Sequence, residues 1–134
     1  MAAMTPSSLP VIQVTRGTGR YAVRGVAVRA GAGLVVTITG GDGPHIGAVG
    51  LGIPRPSHRD PARTSATSSV LSLTGHRDDE LAKPLAEEAA ARLGHPVVVV
   101  VGVHVADATE ADIALLSDNV RQTLTALLEG LGVP

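Results

Sequence analysis

Apolar and polar positions recur along this chain with two different periods, one typical of strands and the other of helices. Segments rich in Val, Ile and Thr, separated by the turn sequences GTG and GAG, predict three antiparallel strands: VIQVTR, YAVRGVAVRA and LVVTITG. A fourth strand is predicted over IGAVGLGIP and a short fifth strand over SSVLSL. The polar segment between them, RPSHRDPARTSAT, predicts a long surface loop.

Helical periodicity follows in the second half of the chain. Four apolar residues at four-residue spacing predict a helix with one buried face: Leu81, Leu85, Ala89 and Leu93. Because a proline is tolerated only in the first turn, Pro84 predicts that this helix begins between Leu81 and Lys83. Gly94, followed by Pro96, predicts its end.

The last helix has the clearest pattern in the sequence. Thr109 is a favourable N-cap residue, and Asp112, three residues later, completes a variant of the capping box. Apolar residues then recur at three- and four-residue spacing over about 20 residues, which corresponds to a helix of roughly 30 Å. They predict one buried face: Ile113, Leu116, Val120, Leu124, Leu127 and Leu131.

The segment VVVVVGVHV, between these helices, is apolar at odd and even positions alike, as in a strand that is covered on both faces. Together the elements predict the α+β class: a mixed, mainly antiparallel sheet packed on one face by two α-helices, in one domain over residues 11–134. Residues 1–10 are predicted to be disordered. The second face of Val97–Val103 then needs a cover, which predicts a homodimer or a higher homo-oligomer.

Composition excludes several kinds of function. The net charge is −1 and the basic residues are scattered, so no nucleic-acid surface is predicted. The chain has no Cys, which excludes a thiolate zinc site and a cysteine nucleophile. No signal peptide or membrane-spanning run is recognisable, so we expect a cytoplasmic protein without membrane contact. With one Tyr, no Phe and no Trp, a flat ligand would have to lie on His, Arg or backbone.

Glycines, an Asp, a Pro and a His are crowded into ITGGDGPHIGAVG, residues 38–50. Consecutive glycines can leave several backbone N–H groups unpaired, which would form an anion-binding nest with His45 at its edge. The alternative is a hairpin turn with a surface histidine. Further glycines in the following strand would let a chain segment or a flat ligand approach closely. The candidate binding residues of this segment are Gly40, Gly41, Pro44, His45, Ile46 and Gly47.

Two further segments contain candidate polar groups. In GHRDDE, residues 75–80, His76 and Arg77 precede a predicted helix, whose free N–H groups attract phosphate or carboxylate. Asp78 could cap that helix, orient a histidine or bind a metal, and the alternative is a solvated charge run. His104 lies near the end of the most buried strand, either as a functional group or as a core histidine bonded to a backbone carbonyl.

A metal ion would have to be held by separate segments, because no pair of histidines has the spacing of a local metal motif. The candidate ligands are His45, His76 and His104. The same histidines, with Asp neighbours, could serve general acid–base catalysis, since histidine titrates near neutral pH. No nucleophile motif accompanies them, which counts against covalent catalysis.

Three stretches together resemble one small family, the LpdD-like proteins: TITGGDGPHIGAV, GHRDDELAKPLAEEAAARL and VVVVVGVHVADATEADIALLSDNVRQTLTALL. The family pattern is similar to GG-x-x-PHIGAV, a later H-[KR]-[DE], and G-[IV]-H-[IV]-x-x-[AI]-[ST]. The resemblance covers about residues 20–130, and PHIG is its most specific part. Arg77 stands where Lys is frequent, and Ala106 where the pattern has a polar residue, which puts contacts from that turn in doubt.

The LpdD-like family comprises prenylated-flavin chaperones, or accessory subunits, of UbiD-type gallate and hydroxyarylic acid decarboxylases. The resemblance implies that this chain binds prenylated flavin mononucleotide (FMN), or plain FMN, and assists a UbiD-type decarboxylase. It also implies a flavin prenyltransferase as a second partner and a divalent metal as a candidate bridge to the phosphate. The alternatives are a small His- or metal-dependent hydrolase or isomerase and a purely structural decarboxylase subunit.

Overall fold

A computed structural model describes residues 11–73 and 78–134 of the chain. In these two ranges the strands are β1 (Val11–Arg16), β2 (Val23–Ala30), β3 (Gly33–Gly41), β4 (Ala48–Pro56), β5 (Thr64–Ser72) and β6 (Val97–His104). The helices there are α1 (Asp79–Leu93) and α2 (Glu110–Gly130), and a short 3-10 turn, Gly19–Tyr21, precedes β2. The expected disorder of residues 1–10 lies outside the described residues.

The strands of the described residues form one sheet with the order β1-β2-β3-β6-β4-β5. β6 is parallel to β3 and antiparallel to β4, and the other neighbouring strands are antiparallel. The predicted α+β class, with a mixed and mainly antiparallel sheet and two helices, is confirmed.

The hairpin alternative for the glycine-rich segment is wrong. β3 and β4 are consecutive in the chain, but β6 lies between them in the sheet. Residues 42–47, which we call the crossing segment, therefore pass over the carboxyl end of β6. There the N–H groups of Asp42 and Gly47 donate to the carbonyls of His104 and Val101, at 2.7 and 3.0 Å. The apolar β6 takes a central position, because only there are both of its long edges paired.

The loop between β4 and β5 and the start of α1 also differ from the prediction. The predicted loop over residues 55–67 is shorter, because β4 continues to Pro56 and β5 begins at Thr64. β5 is an edge strand and stays largely exposed, so its Ser and Thr residues do not show the apolar pattern of a core strand. α1 begins at Asp79, which places Pro84 beyond the first turn. Burial of Leu81 and Leu85 on the sheet compensates the hydrogen bond that this proline cannot donate.

Both helices pack on the same face of the sheet, as predicted. Alternate residues of the central strands are fully buried beneath them: Val36, Ile38, Val97, Val99 and Val101. α1 comes very close to β4, since a Cβ on Gly50 would lie only 2.6 Å from the carbonyl oxygen of Ala82. Gly50 thus allows α1 to approach the strand, and the expected flat ligand cannot lie on it.

The N-terminus of α2 has the predicted capping box. Thr109 Oγ1 accepts from the N–H of Asp112 at 3.1 Å, and the Asp112 carboxylate accepts from the N–H of Thr109 at 3.0 Å. We expect Thr109→Ala to lower the free energy of unfolding by about 1 kcal/mol, because the first of these bonds is lost. Urea unfolding measures this loss, with Thr125→Ala, inside the same helix, as the control. An equal stability of the two variants would contradict the cap.

The buried face of α2 matches the prediction at five positions: Leu116, Val120, Leu124, Leu127 and Leu131. The expectation for Ile113 is wrong, because its side chain is 55% exposed. It lies in the first turn of α2, where it borders a cavity. Among the helices that the structure describes, none has the length and apolar character needed to cross a membrane.

Candidate functional site

A cavity of about 420 Å³ lies between the start of α1, the first half of α2 and the carboxyl end of β6. Its volume falls within the range of about 300–1,000 Å³ that is typical of small-ligand sites. Its apolar lining residues are Leu81, Val103, Val105, Ala108, Ile113 and Leu116. Its polar lining residues are Asp78, Glu80, His104, Asp112, Ser117 and Arg121.

Asp78 is a buried acid in the wall of this cavity, with 5% of its surface exposed. Its Oδ1 accepts a hydrogen bond from the N–H of Val103, and its Oδ2 lies 3.2 Å from Nε2 of His45. Within the described residues its side chain makes no capping bond to α1. Of the roles predicted for Asp78, the structure therefore supports orientation of a histidine. The same carboxylate joins α1 to the crossing segment and to β6.

His45 lies on the crossing segment and is held through both ring nitrogens. Nδ1 is 2.7 Å from the carbonyl oxygen of Gly43, so this nitrogen carries a hydrogen and donates it. Nε2 faces the carboxylate of Asp78. The ring thus links the crossing segment to Asp78, and 23% of the His45 side chain is exposed.

Two glycines near His45 and Asp78 are required because another group lies too close to their backbone for a Cβ atom. A Cβ on Gly47 would overlap the carboxylate of Asp78, and a Cβ on Gly102 would overlap the carbonyl oxygen of His45. Gly41 has a φ of +77°, a left-handed conformation that turns the chain at the end of β3. The glycines of this region therefore allow the crossing segment to lie against β6 and α1.

The expected anion-binding nest is wrong for the donors that the structure describes. The N–H of Gly41 donates to the carbonyl of Ala22 at 3.1 Å, and those of Asp42 and Gly43 donate to the carbonyl of His104. These N–H groups are used because the segment pairs with neighbouring strands instead of standing free. An anion would need other donors.

An ion pair fixes the loop that follows β6. Nη2 of Arg20 donates to Oδ2 of Asp42 at 2.7 Å and to the carbonyl of Ala106 at 2.8 Å. The N–H of Ala106 donates to the same Asp42 oxygen at 3.1 Å. The Arg20 guanidinium, followed by this N–H, lowers the pKa of Asp42 from its ordinary value. The backbone of Ala106 supplies both contacts, so they do not need a polar side chain there.

Asp112 presents an ionised carboxylate to the cavity. The N–H of Thr109, and then the hydroxyl of Tyr21 at 2.8 Å, lower the pKa of Asp112 from its ordinary value. The same hydroxyl contact raises the pKa of Tyr21. At neutral pH the cavity therefore has a fixed negative group at the first turn of α2.

The predicted binding residues do not all meet in one place. Asp78 and His104 line the cavity, and His45 lies behind the cavity wall in contact with Asp78. The side chain of His104 is exposed, so the alternative of a buried core histidine is wrong. Gly47 packs against Asp78. His76 and Arg77 lie outside the described residues, and their role stays a prediction.

The other predicted residues lie away from this cavity. Gly40, Gly41 and Pro44 line a separate, shallower depression together with Arg24 and Thr39. Ile46 is 59% exposed on the crossing segment. Within residues 11–73 and 78–134, no group of three or more His, Asp or Glu side chains is placed to hold a metal ion. Metal binding by His45 and His104 together with His76 stays a prediction.

Sequence reasoning missed the cavity wall that α2 provides. Ile113, Ser117 and Arg121 follow one another at four-residue spacing, so they share one face of the helix. That row starts apolar and then turns polar, whereas the buried face continues as Leu116 and Val120. The change from apolar to polar residues along one row was the available signal. It marks a helix face that borders a ligand-sized space instead of the core.

A comparison with known protein families gives one match over most of the chain. A family model described as the prenylated flavin chaperone LpdD-like domain matches residues 17–132. No curated protein matches the chain. Among similar solved structures is a chain from the "Crystal Structure of a Novel Chaperone Complex for Yeast 20S Proteasome Assembly", with a TM-score of 0.57. The match covers 92% of this chain and 100% of that chain at 14% identity, so it shows the fold alone.

Proposed function

Because the chain belongs to the family of LpdD-like prenylated flavin chaperones, we propose that it binds prenylated FMN in the cavity between α1, α2 and β6. In this proposal the protein is a non-catalytic chaperone that shields the cofactor and delivers it to a UbiD-type decarboxylase. The main structural support is that an apolar wall and the Arg121 guanidinium border the same cavity of about 420 Å³. A flavin nucleotide has a matching flat ring and phosphate.

The ring system of the flavin would lie on aliphatic side chains. Leu81, Val105 and Ile113 border the cavity, and none of its described lining residues is Phe, Tyr or Trp. Burial of apolar ring surface favours binding by about 25 cal/mol per Å². The exposed Ile113 would then be covered by the ligand, which accounts for its position outside the helix core.

The phosphate would bind Arg121 and Ser117, which lie one turn apart on α2. A guanidinium presents a planar set of donors that suits phosphate oxygens, and a hydroxyl adds another donor. Asp112 precedes Arg121 by nine residues, or about 13.5 Å along the helix axis. The phosphate can thus avoid this carboxylate, which could accept an N–H from the pyrimidine ring of the flavin. Glu80 is exposed, so solvent screens its charge.

His76 and Arg77 are proposed as further phosphate donors, because they precede Asp78 in the sequence. They lie outside the described residues. A divalent metal held by His45, His76 and His104 stays a prediction, and plain FMN is the comparison ligand. A flavin prenyltransferase, as the source of the cofactor, would be the second partner.

A binding role has more support than an acid–base enzyme built on His45. A general base needs a ring nitrogen that can reach the substrate. Both ring nitrogens of His45 contact protein groups, the carbonyl of Gly43 and the carboxylate of Asp78. These contacts suit a residue that supports the wall of a binding site.

Anaerobic titration with prenylated FMN, with plain FMN for comparison, tests the proposal. We expect selective binding by the wild-type protein. Arg121→Ala should weaken it about 10- to 100-fold, because a charge-assisted hydrogen bond contributes roughly 1.5–3 kcal/mol. Arg121→Lys should retain part of the affinity. Arg59→Ala, in the exposed loop between β4 and β5, is the matched control.

Delivery is measured by mixing the loaded protein with an apo-decarboxylase and following recovery of decarboxylase activity. Arg121→Ala should deliver less cofactor than Arg59→Ala at equal protein concentration. Binding of neither flavin by the wild type would reject the binding role and leave a structural subunit. Equal affinities of Arg121→Ala and Arg59→Ala would place the phosphate elsewhere.

A further inference from the structure

Asp112 presents a carboxylate to the cavity from the first turn of α2, and two hydrogen bonds hold it there. Its Oδ1 accepts from the hydroxyl of Tyr21 at 2.8 Å, and its Oδ2 accepts from the N–H of Thr109 at 3.0 Å. Tyr21 belongs to the turn before β2, so two separate elements fix the position of this carboxylate. Because each carboxylate oxygen can accept two hydrogen bonds, both oxygens keep the capacity to accept one from a ligand.

The charge of Asp112 is not neutralised by an ion pair within the part of the chain that the structure describes. None of the ion pairs formed there includes Asp112, and Arg20 is paired with Asp42 at 2.7 Å. Arg121, the guanidinium of the cavity lining, lies nine residues further along α2. That spacing is about 13.5 Å along the helix axis, which exceeds the Debye length of about 8 Å at physiological ionic strength. The two ends of the α2 wall therefore present opposite charges to the cavity.

A flavin ring changes its charge when it is reduced near neutral pH. The oxidised ring of FMN is uncharged, and its uptake of two electrons and one proton gives a reduced ring with a negative charge shared by N1 and the neighbouring carbonyl oxygen. Both atoms belong to the pyrimidine ring whose N–H, in the proposed binding mode, donates to Asp112. A charge fixed beside this ring shifts the balance between its redox states, since like charges repel more strongly in a site partly shielded from water.

We propose that Asp112 makes this cavity selective for the oxidation state of its flavin, so that the oxidised ring is bound more tightly than the anionic reduced ring. The inference rests on the proposed function, because it requires the ring to lie at Asp112 and the phosphate at Arg121. The apolar wall cannot provide this discrimination, since the two rings have the same non-hydrogen atoms. Asp112 is thus a specificity-determining residue, and Tyr21 is a positioning residue that holds its carboxylate.

Anaerobic titration of the full chain with oxidised FMN, and with FMN reduced by dithionite, tests the proposal at pH 8, where free reduced FMN is anionic. For the wild type we expect a dissociation constant at least about tenfold higher for reduced FMN, because its negative ring meets the Asp112 carboxylate. The midpoint potential of bound FMN should then be at least about 30 mV more negative than that of free FMN, the equivalent of a tenfold change for two electrons. Asp112→Asn should remove most of this difference, since its amide oxygen still accepts from Thr109 but carries no charge.

Glu110→Gln is the matched control, because Glu110 is an exposed acid in the same helical turn and does not line the cavity. It should keep the wild-type ratio of the two dissociation constants. Tyr21→Phe removes only the hydroxyl contact and should give an intermediate ratio. A variant that is merely less stable would lose affinity for both forms alike, so the ratio separates positioning from folding. If Asp112→Asn does not fold, the midpoint potential of FMN bound to the wild type decides the case.

The outcomes distinguish this inference from the proposed function. Equal affinity of the wild type for both redox states, together with weaker binding by Arg121→Ala, would overturn the selectivity and leave the flavin site in place. The selectivity would also be overturned by a wild-type ratio that Asp112→Asn does not change, or by a bound potential equal to or above that of free FMN. Binding of neither form would reject the flavin site and the selectivity together.

Discussion

Gly102→Ala is expected to lower the free energy of unfolding by about 3 kcal/mol, at the upper end of overpacking effects. The new Cβ would overlap the carbonyl oxygen of His45, and backbone at this position cannot swing away as a long side chain would. The crossing segment would have to leave β6. It would then lose the bonds that His45 and Gly47 donate to the carbonyls of Gly102 and Val101. Urea and thermal unfolding measure the loss.

Gly43→Ala is the matched control for this prediction. Gly43 lies in the same crossing segment, and a Cβ there would make ordinary contacts, at 3.7 Å or more, with the side chain of His104. Its φ is not in the left-handed region. We expect its stability to stay within about 0.5 kcal/mol of wild type, as for a surface substitution. Similar losses for Gly43→Ala and Gly102→Ala would contradict the close approach of the segment to β6.

Asp78→Ala is expected to destabilise the protein by about 2–4 kcal/mol. The substitution leaves the N–H of Val103 and one ring nitrogen of His45 without this acceptor in a partly buried position. Each buried polar group left unpaired costs about 1–3 kcal/mol. Equilibrium unfolding in urea measures this loss. The cavity wall should also become less well ordered, so affinity for prenylated FMN should fall together with stability.

Asp78→Asn separates hydrogen bonding from charge at the same site. The amide oxygen can still accept from Val103, and the amide nitrogen can donate to a neutral His45 ring. We therefore expect Asp78→Asn to be clearly more stable than Asp78→Ala. A double-mutant cycle with His45→Ala should show a coupling of about 0.5–3 kcal/mol, as for residues in one hydrogen-bond network. Strict additivity of the two losses would show that His45 and Asp78 do not interact.

The predictions for Gly102 and Asp78 both concern the contacts of the crossing segment with β6 and with the start of α1. The crossing segment brings His45 over the end of β6, and α1 brings Asp78 to meet it. The sequence singled out both residues, yet it gave no reason to pair them, since they are 33 positions apart. Their contact depends on the place of β6 between β3 and β4. A polar cluster formed by separate elements therefore became visible only through the order of the strands.

In the candidate site, too, some residues could be recognised from their neighbours in the sequence, and others only from the fold. Asp78 and His104 were recognisable because polar residues next to buried segments are unusual. The α2 wall was missed, because a helical periodicity argument assigned Ile113 to the core. Whether a helix row faces the core or a cavity depends on which other elements pack against it. Ile113 borders the cavity and is 55% exposed.

The sequence by itself determined the features that depend on residues a few positions apart. These are the strand and helix segments, the Thr109–Asp112 capping box, the end of α1 at Gly94 and the apolar faces of both helices. They follow from backbone geometry and side-chain periodicity, which act over one or two turns. The α+β class followed from the succession of these elements.

Only the tertiary structure decided which distant segments meet. It placed β6 between β3 and β4, turned an apparent hairpin into the crossing segment, and used the glycine N–H groups within the sheet. Strand order depends on how the whole chain buries its apolar surface, because the most apolar strand is most stable where neighbouring strands pair with both of its edges. Such competition among non-local pairings leaves no mark at any single position. The cavity at the carboxyl end of β6 is a consequence of that order.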